Sequence, residues 1–174
     1  MSQMRNFNDK VALVTGSSSG IGAAVVKHFA QCGASVVVTG RNAENIKSVA
    51  EECAKLSKQG EKAVLQVVGD VTNDADLDRL LKSTIDKFGK LDILVNNAGV
   101  GGLTSIYDDD LMKTYEKLFN TNVRSVMYLT RLAVPHLEKT NGNIINISSI
   151  AGLRPVSFRV IFSYFILLTL WPLI

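Results

Sequence analysis

The chain has 174 residues, 47% of them apolar and 20% charged, with a formal net charge of +3. That length suits one domain with a real core, and that apolar content excludes a disordered chain. No basic block points to nucleic acid, and the polar first residues lack the apolar run of a secretory signal, so a cytoplasmic protein is expected.

Five apolar, strand-like runs alternate with helical patterns. The first run, residues 11–15, feeds a glycine-rich turn over 16–22. A helix starts near Gly20, is expected to bury Ile21, Val25 and Phe29, and ends at Gly33. A second run covers 35–39. The next helix carries Ile46, Val49, Ala50, Cys53 and Leu56 at helical spacing, and Gly60 is expected to stop it. A third run covers 63–68. Thr72 is the expected N-cap of a helix carrying Leu77, Leu80, Leu81, Ile85 and Phe88 before Gly89. Run 91–96, a long helix over 109–138 and run 143–148 complete the series.

The runs are rich in Val, Ile and Leu and nearly continuous, as strands buried on both faces should be. Strands joined through helices pair in parallel, which predicts a doubly wound α/β sheet with ligands at the carboxyl ends of its strands. There is no internal repeat and no linker. Cys32 and Cys53 fall in helical patterns and read as small buried thiols. His28 and His136 have no ligand companions, so no metal is expected.

The turn at 16–22 carries the chemistry. Gly16 permits the tight bend, Gly20 lets a pyrophosphate approach bare backbone, and Gly22 lets the new helix pack closely. Ser18, Ser19 and Ile21 complete the same anion-binding turn, where free N–H groups and the helix dipole favour negative charge. The second run ends at Gly40-Arg41. An NAD site usually presents an acid there to hold the ribose 2′-hydroxyl. Glycine followed by arginine suits a 2′-phosphate instead, so NADP(H) is expected in preference to NAD(H).

The spacing Gly-x-x-x-Gly-x-Gly behind Thr15 resembles the short-chain dehydrogenase/reductase family. Asp70-Val71, Asn96-Asn97-Ala98-Gly99, Asn122 and Ile147-Ser148-Ser149-Ile150-Ala151-Gly152 follow in that family's order, and the likeness covers about 7–156. The resemblance implies a Rossmann-type dinucleotide-binding domain over 1–156, incomplete at its C-terminal end. It implies that Asp70 accepts from the adenine amine, that Val71 lines the adenine pocket, and that Asn97, Ala98 and Gly99 belong to the cofactor site. Asn122 would bend its helix and hold a proton-relay water. Ser149 would polarise a substrate carbonyl, with Ser148 the competing candidate. The implied substrate is a small carbonyl or alcohol compound.

One part of the family pattern is missing. The family places a catalytic Tyr-x-x-x-Lys shortly after the serine. That slot falls near Phe162; Tyr164 has Leu168 four residues on, and Lys139 is the last lysine of the chain. No charged residue follows Arg159, and 157–174 form an apolar tail outside the family pattern. As a helix, 160–174 would reach about 22 Å, short of a hydrocarbon core of roughly 30 Å, so a membrane span is not expected. Two readings stand: a truncated NADP-dependent oxidoreductase with little activity, and a nucleotide-binding pseudoenzyme or interaction protein. The family's tetramer, which uses the helix carrying Tyr-x-x-x-Lys, is not expected to form intact.

Overall fold

The structure, a computed structural model, describes residues 6–102 and 104–149. The calls on Phe162, Tyr164 and the tail 157–174 lie outside the described residues.

Five parallel strands form one sheet in the order β3-β2-β1-β4-β5. They are β1 (Val11–Val14), β2 (Ser35–Gly40), β3 (Val64–Val68), β4 (Ile93–Asn96) and β5 (Asn143–Asn146). Val14 stands level with Val38 on one side and Val95 on the other, so the β-branched residues of neighbouring strands stack across the sheet. β1 and β4 are buried throughout. β5 is not: its residues alternate between exposed and half-buried, because it lies at the sheet edge of the described residues.

Helices cover both faces. On one face α1 (Gly20–Gln31) and α2 (Ala43–Leu56) bring Val26, Ala30, Ile46 and Cys53 onto Val14, Val36 and Val38. On the other, α3 (Asp74–Phe88) and α5 (Ser125–Glu138) bring Leu77, Leu81, Leu129 and Ala133 onto Leu13, Val37 and Leu94. Each fully buried Leu or Val of these layers contributes about 1.5–3 kcal/mol of transfer free energy.

Several local expectations are corrected. The buried stripe of α1 is Gly22, Ala23, Val26 and Ala30, while Ile21 is 66% exposed. The small residues go inward because α1 packs tightly on the sheet, and Ile21 is turned out at the helix start. Asn73, not Thr72, caps α3, its Oδ1 accepting from Ala75 N–H at 3.0 Å. Thr72 is instead held back by Asp70. Helix α2 ends at Leu56 rather than Gly60, and Gly60 opens a 3-10 turn, Gly60–Ala63, leading into β3. The long helix is split. α4 (Leu111–Phe119) passes into a π-helical turn, Asn120–Arg124, before α5.

Candidate functional site

At the carboxyl end of the sheet the strand order reverses, β1 having β2 on one side and β4 on the other. Such a reversal leaves a crevice between the loops that follow the two strands. Thr15, buried just after β1, ties these loops together. Its Oγ1 accepts from the N–H groups of Asn97 and Ala98, each at 3.0 Å, and donates to the Val95 carbonyl at 3.4 Å. Asn97 Nδ2 donates in return to the carbonyls of Thr15 at 2.9 Å and Gly16 at 3.3 Å. The polar groups of both turns are thus satisfied by one another.

The glycines fit this closeness. Gly16 has φ of +63°, and a Cβ there would sit 2.9 Å from Ala98 Cα. A Cβ on Gly22 would run into the Gly16 carbonyl and the Asn97 carboxamide. Gly20 is different: φ is +55° and its Cβ position faces open space. Ser17 pins the turn to β2, its N–H donating to the Thr39 carbonyl and its Oγ accepting from Thr39 N–H, both at 2.9 Å.

A cavity of about 470 Å³ opens above these turns, a size within the usual range for ligand sites. Gly16, Ser18, Ser19, Ile21 and Gly22 line it from the first turn, and Arg41, Asp70, Val71, Asn97, Ala98 and Gly99 from the ends of β2, β3 and β4. Gly20 does not line it. Ile21, exposed at the start of α1, is among the residues that line the cavity. Gly40 also lines the wall, and a Cβ there would meet Ser18 Oγ at 2.5 Å and Ser18 Cβ at 3.0 Å. A side chain at that position would require the Ser18 hydroxyl to turn away.

Asp70 is anchored from two directions. Its Oδ1 accepts from Thr72 N–H at 2.9 Å and Thr72 Oγ1 at 2.8 Å, and its own N–H donates to Asp76 Oδ2 at 2.9 Å. That bond from Asp70, with help from Arg79, holds the Asp76 carboxyl below the usual carboxylate range. Arg41 is exposed, its Nη1 3.9 Å from Asp70 Oδ2.

Asn122 lies in the π-helical turn. Its Oδ1 accepts from Val100 N–H and its Nδ2 donates to the Val100 carbonyl, each at 2.9 Å. Both ends of the carboxamide are spent on the loop after β4, so the side chain fixes helix and loop together. Ser148 and Ser149 follow β5 at the same end of the sheet. The Ser148 hydroxyl is buried with no partner among the described residues. Sequence reasoning missed Lys117 and Thr121, which line the cavity one helical turn apart. Their i, i+4 spacing just before Asn122 was the available signal.

Among the described residues no cluster of His, Cys, Asp and Glu could hold a metal, and no helix is long and apolar enough to cross a membrane. Both cysteines are free and buried. Burial pushes the Cys53 thiol to about 11, which removes it as a nucleophile near neutrality.

Residues 10–163 match the pattern of the short chain dehydrogenase family. The chain belongs to that family. The matched stretch runs past residue 156. An Arabidopsis thaliana relative, 11-beta-hydroxysteroid dehydrogenase-like 4A, is 40% identical over 150 residues, covering 86% of this chain and 49% of the relative. Glucose dehydrogenase of Caenorhabditis elegans in the apo-form is 44% identical, with a TM-score of 0.82, covering 93% of this chain and 64% of that one. A 7α-hydroxysteroid dehydrogenase complexed with NADH and 7-oxo glycochenodeoxycholic acid is 32% identical, with a TM-score of 0.87, covering 95% and 63%. This short chain dehydrogenase therefore spans about half to two thirds of the length of these relatives. It has the Rossmann-like fold of that family.

Proposed function

We propose that this short chain dehydrogenase binds NADP(H) in preference to NAD(H), and that its family chemistry is hydride exchange with a small carbonyl or alcohol compound. The observation that carries the cofactor reading is the end of β2. Arg41 lines the cavity there, and the neighbouring position is Gly40, which carries no acid to hold a ribose 2′-hydroxyl. A guanidinium can hold a 2′-phosphate through paired hydrogen bonds. The cradle suits the rest of the dinucleotide. Ser19 and Gly22 line the cavity at the start of α1, and the dipole of α1 favours negative charge.

Hydride transfer is the chemistry a nicotinamide cofactor would supply when held in this cavity. The chain's own residues orient and exclude. Thr15 and Asn97 hold the two turns at their spacing, Asn122 fixes the loop after β4, and by the family pattern Ser149 would donate a hydrogen bond to a substrate carbonyl. What the sequence lacks is the proton donor. Phe162 stands in the family's tyrosine slot, Leu168 follows Tyr164 at the lysine spacing, and no lysine follows Lys139. An unperturbed phenol near pKa 10 is a poor acid at neutrality, and positioned acid–base catalysis contributes roughly 10²–10⁴-fold. On these residues, cofactor binding with little or no turnover is expected, an outcome that both readings share.

The test is titration of NADPH and NADH against the wild type and Arg41→Ala. A selective loss for NADPH of about 1–3 kcal/mol, the usual worth of a charge-assisted contact, is expected. Equal loss for both cofactors, or none, refutes the preference.

A further inference from the structure

We propose that Asp70 is a specificity-determining residue that competes with a 2′-phosphate for the guanidinium of Arg41; this rests on the NADP(H) reading above. Arg41 and Asp70 both line the cavity, with Arg41 Nη1 3.9 Å from Asp70 Oδ2 and side chains 74% and 38% exposed. The two are held very differently. Thr72 engages Asp70 Oδ1 twice, and Asp76 takes the Asp70 N–H. The carboxylate is therefore fixed, with its second oxygen presented to Arg41. Among the described residues the Arg41 guanidinium has no comparable anchor, so it is the partner that must choose between anions.

A dinucleotide with a bare 2′-hydroxyl leaves that ion pair intact. One with a 2′-phosphate must draw the guanidinium from Asp70 or share it. The net selectivity is then what Arg41 gains from the phosphate less what it loses from Asp70. An exposed pair of this kind is worth up to about 1 kcal/mol, or about a fivefold change in affinity. A contact between Asp70 and the adenine ring is common to both cofactors and cancels in their ratio. The ratio of the two affinities therefore isolates the effect transmitted through Arg41.

The experiment measures dissociation constants of NADPH and NADH by calorimetric titration for wild type, Asp70→Asn, Arg41→Ala and the double variant. Asn keeps an acceptor oxygen for Thr72 and removes the charge; Asp70→Ser is the second variant should Asp70→Asn fold poorly. Expected is a rise of about threefold to fivefold in the preference for NADPH in Asp70→Asn, shrinking with added salt, and no change when Asp70→Asn is made on Arg41→Ala. An equal effect of Asp70→Asn on both cofactors, or the same shift in both backgrounds, overturns the proposal and leaves the NADP(H) reading standing. No selective effect of Arg41→Ala overturns both.

Discussion

At the amino ends of β1 and β4 the Asp92 carboxylate is 2% exposed and saturated: Val11 N–H donates to Oδ2 at 2.9 Å, Lys10 lies 2.9 Å from Oδ1 and Lys90 3.1 Å from Oδ2. At the carboxyl ends of the same two strands, Thr15 and Asn97 spend their hydrogen bonds on tying two loops together beside a cavity. One end uses polar groups to close the sheet and the other uses them to join the loops that border an open site. Stability and site are therefore separable along a single pair of strands, and substitutions at the two ends should fail in different ways.

The largest expected effect is at the open end. Gly22→Ala places a Cβ against the Gly16 carbonyl and Asn97. Overpacking against backbone should cost about 3 kcal/mol in urea unfolding and abolish cofactor binding, because the turn must move. Next is Asp92→Asn at the closed end, with a cost of about 2 kcal/mol at neutral pH and no change in cofactor affinity after correction for folding. Burial works to raise the Asp92 carboxyl, yet Lys10, Val11 N–H and Lys90 outweigh it and hold the group below the usual range. A depressed carboxyl stabilises the fold fully above the unfolded value of about 3.9, and that contribution disappears as pH falls through the folded value. The gap between wild type and Asp92→Asn should therefore be widest at neutrality and close in acid. A gap that grows in acid contradicts the assignment.

Thr15→Val comes third. It strips the Asn97 and Ala98 N–H groups of their acceptor. About 1.5 kcal/mol of stability should be lost, with a weakening of cofactor binding that Asp92→Asn does not show. The smallest effect is Lys82→Ala on the outer face of α3, where the pair with Asp86 is exposed. A change below about 0.5 kcal/mol is expected in the same unfolding assay. In light scattering the chain should not give a uniform tetramer, since Tyr-x-x-x-Lys is missing from the segment that follows β5. A uniform tetramer would show that the family's association surface does not need it.

Much of this arrangement was readable from the residues. Valine-rich runs and helical spacing implied the parallel sheet, because strands buried on both faces have little freedom in composition. The glycine turn and Arg41 could be placed at neighbouring strand ends from the parallel topology, whereas Asp70 and the Asn97 loop join them only through the family resemblance. Side-chain direction at helix starts was less legible. Ile21 follows the apolar rule for burial, yet a tightly packed first turn admits only Gly22 and Ala23 inward. Asn73 displaced Thr72 as cap because Thr72 was already engaged by Asp70, a contact that spacing alone does not reveal. Lys117 and Thr121 escaped notice because the cavity wall they form depends on how the long helix passes over the strand ends. The π-helical turn contains Asn122, expected from the family resemblance to bend its helix, and the bond from Asn122 to Val100, 22 residues away, is not encoded by local propensity.

NADPH fluorescence reads the central claim in one sample, first as a saturable change when protein is added, then as a decay when a reactive diketone follows. The account predicts saturable binding, weaker for NADH, with almost no ketone-dependent decay. Robust decay would contradict it by revealing a proton source, and its disappearance in Tyr164→Phe would identify that source as Tyr164.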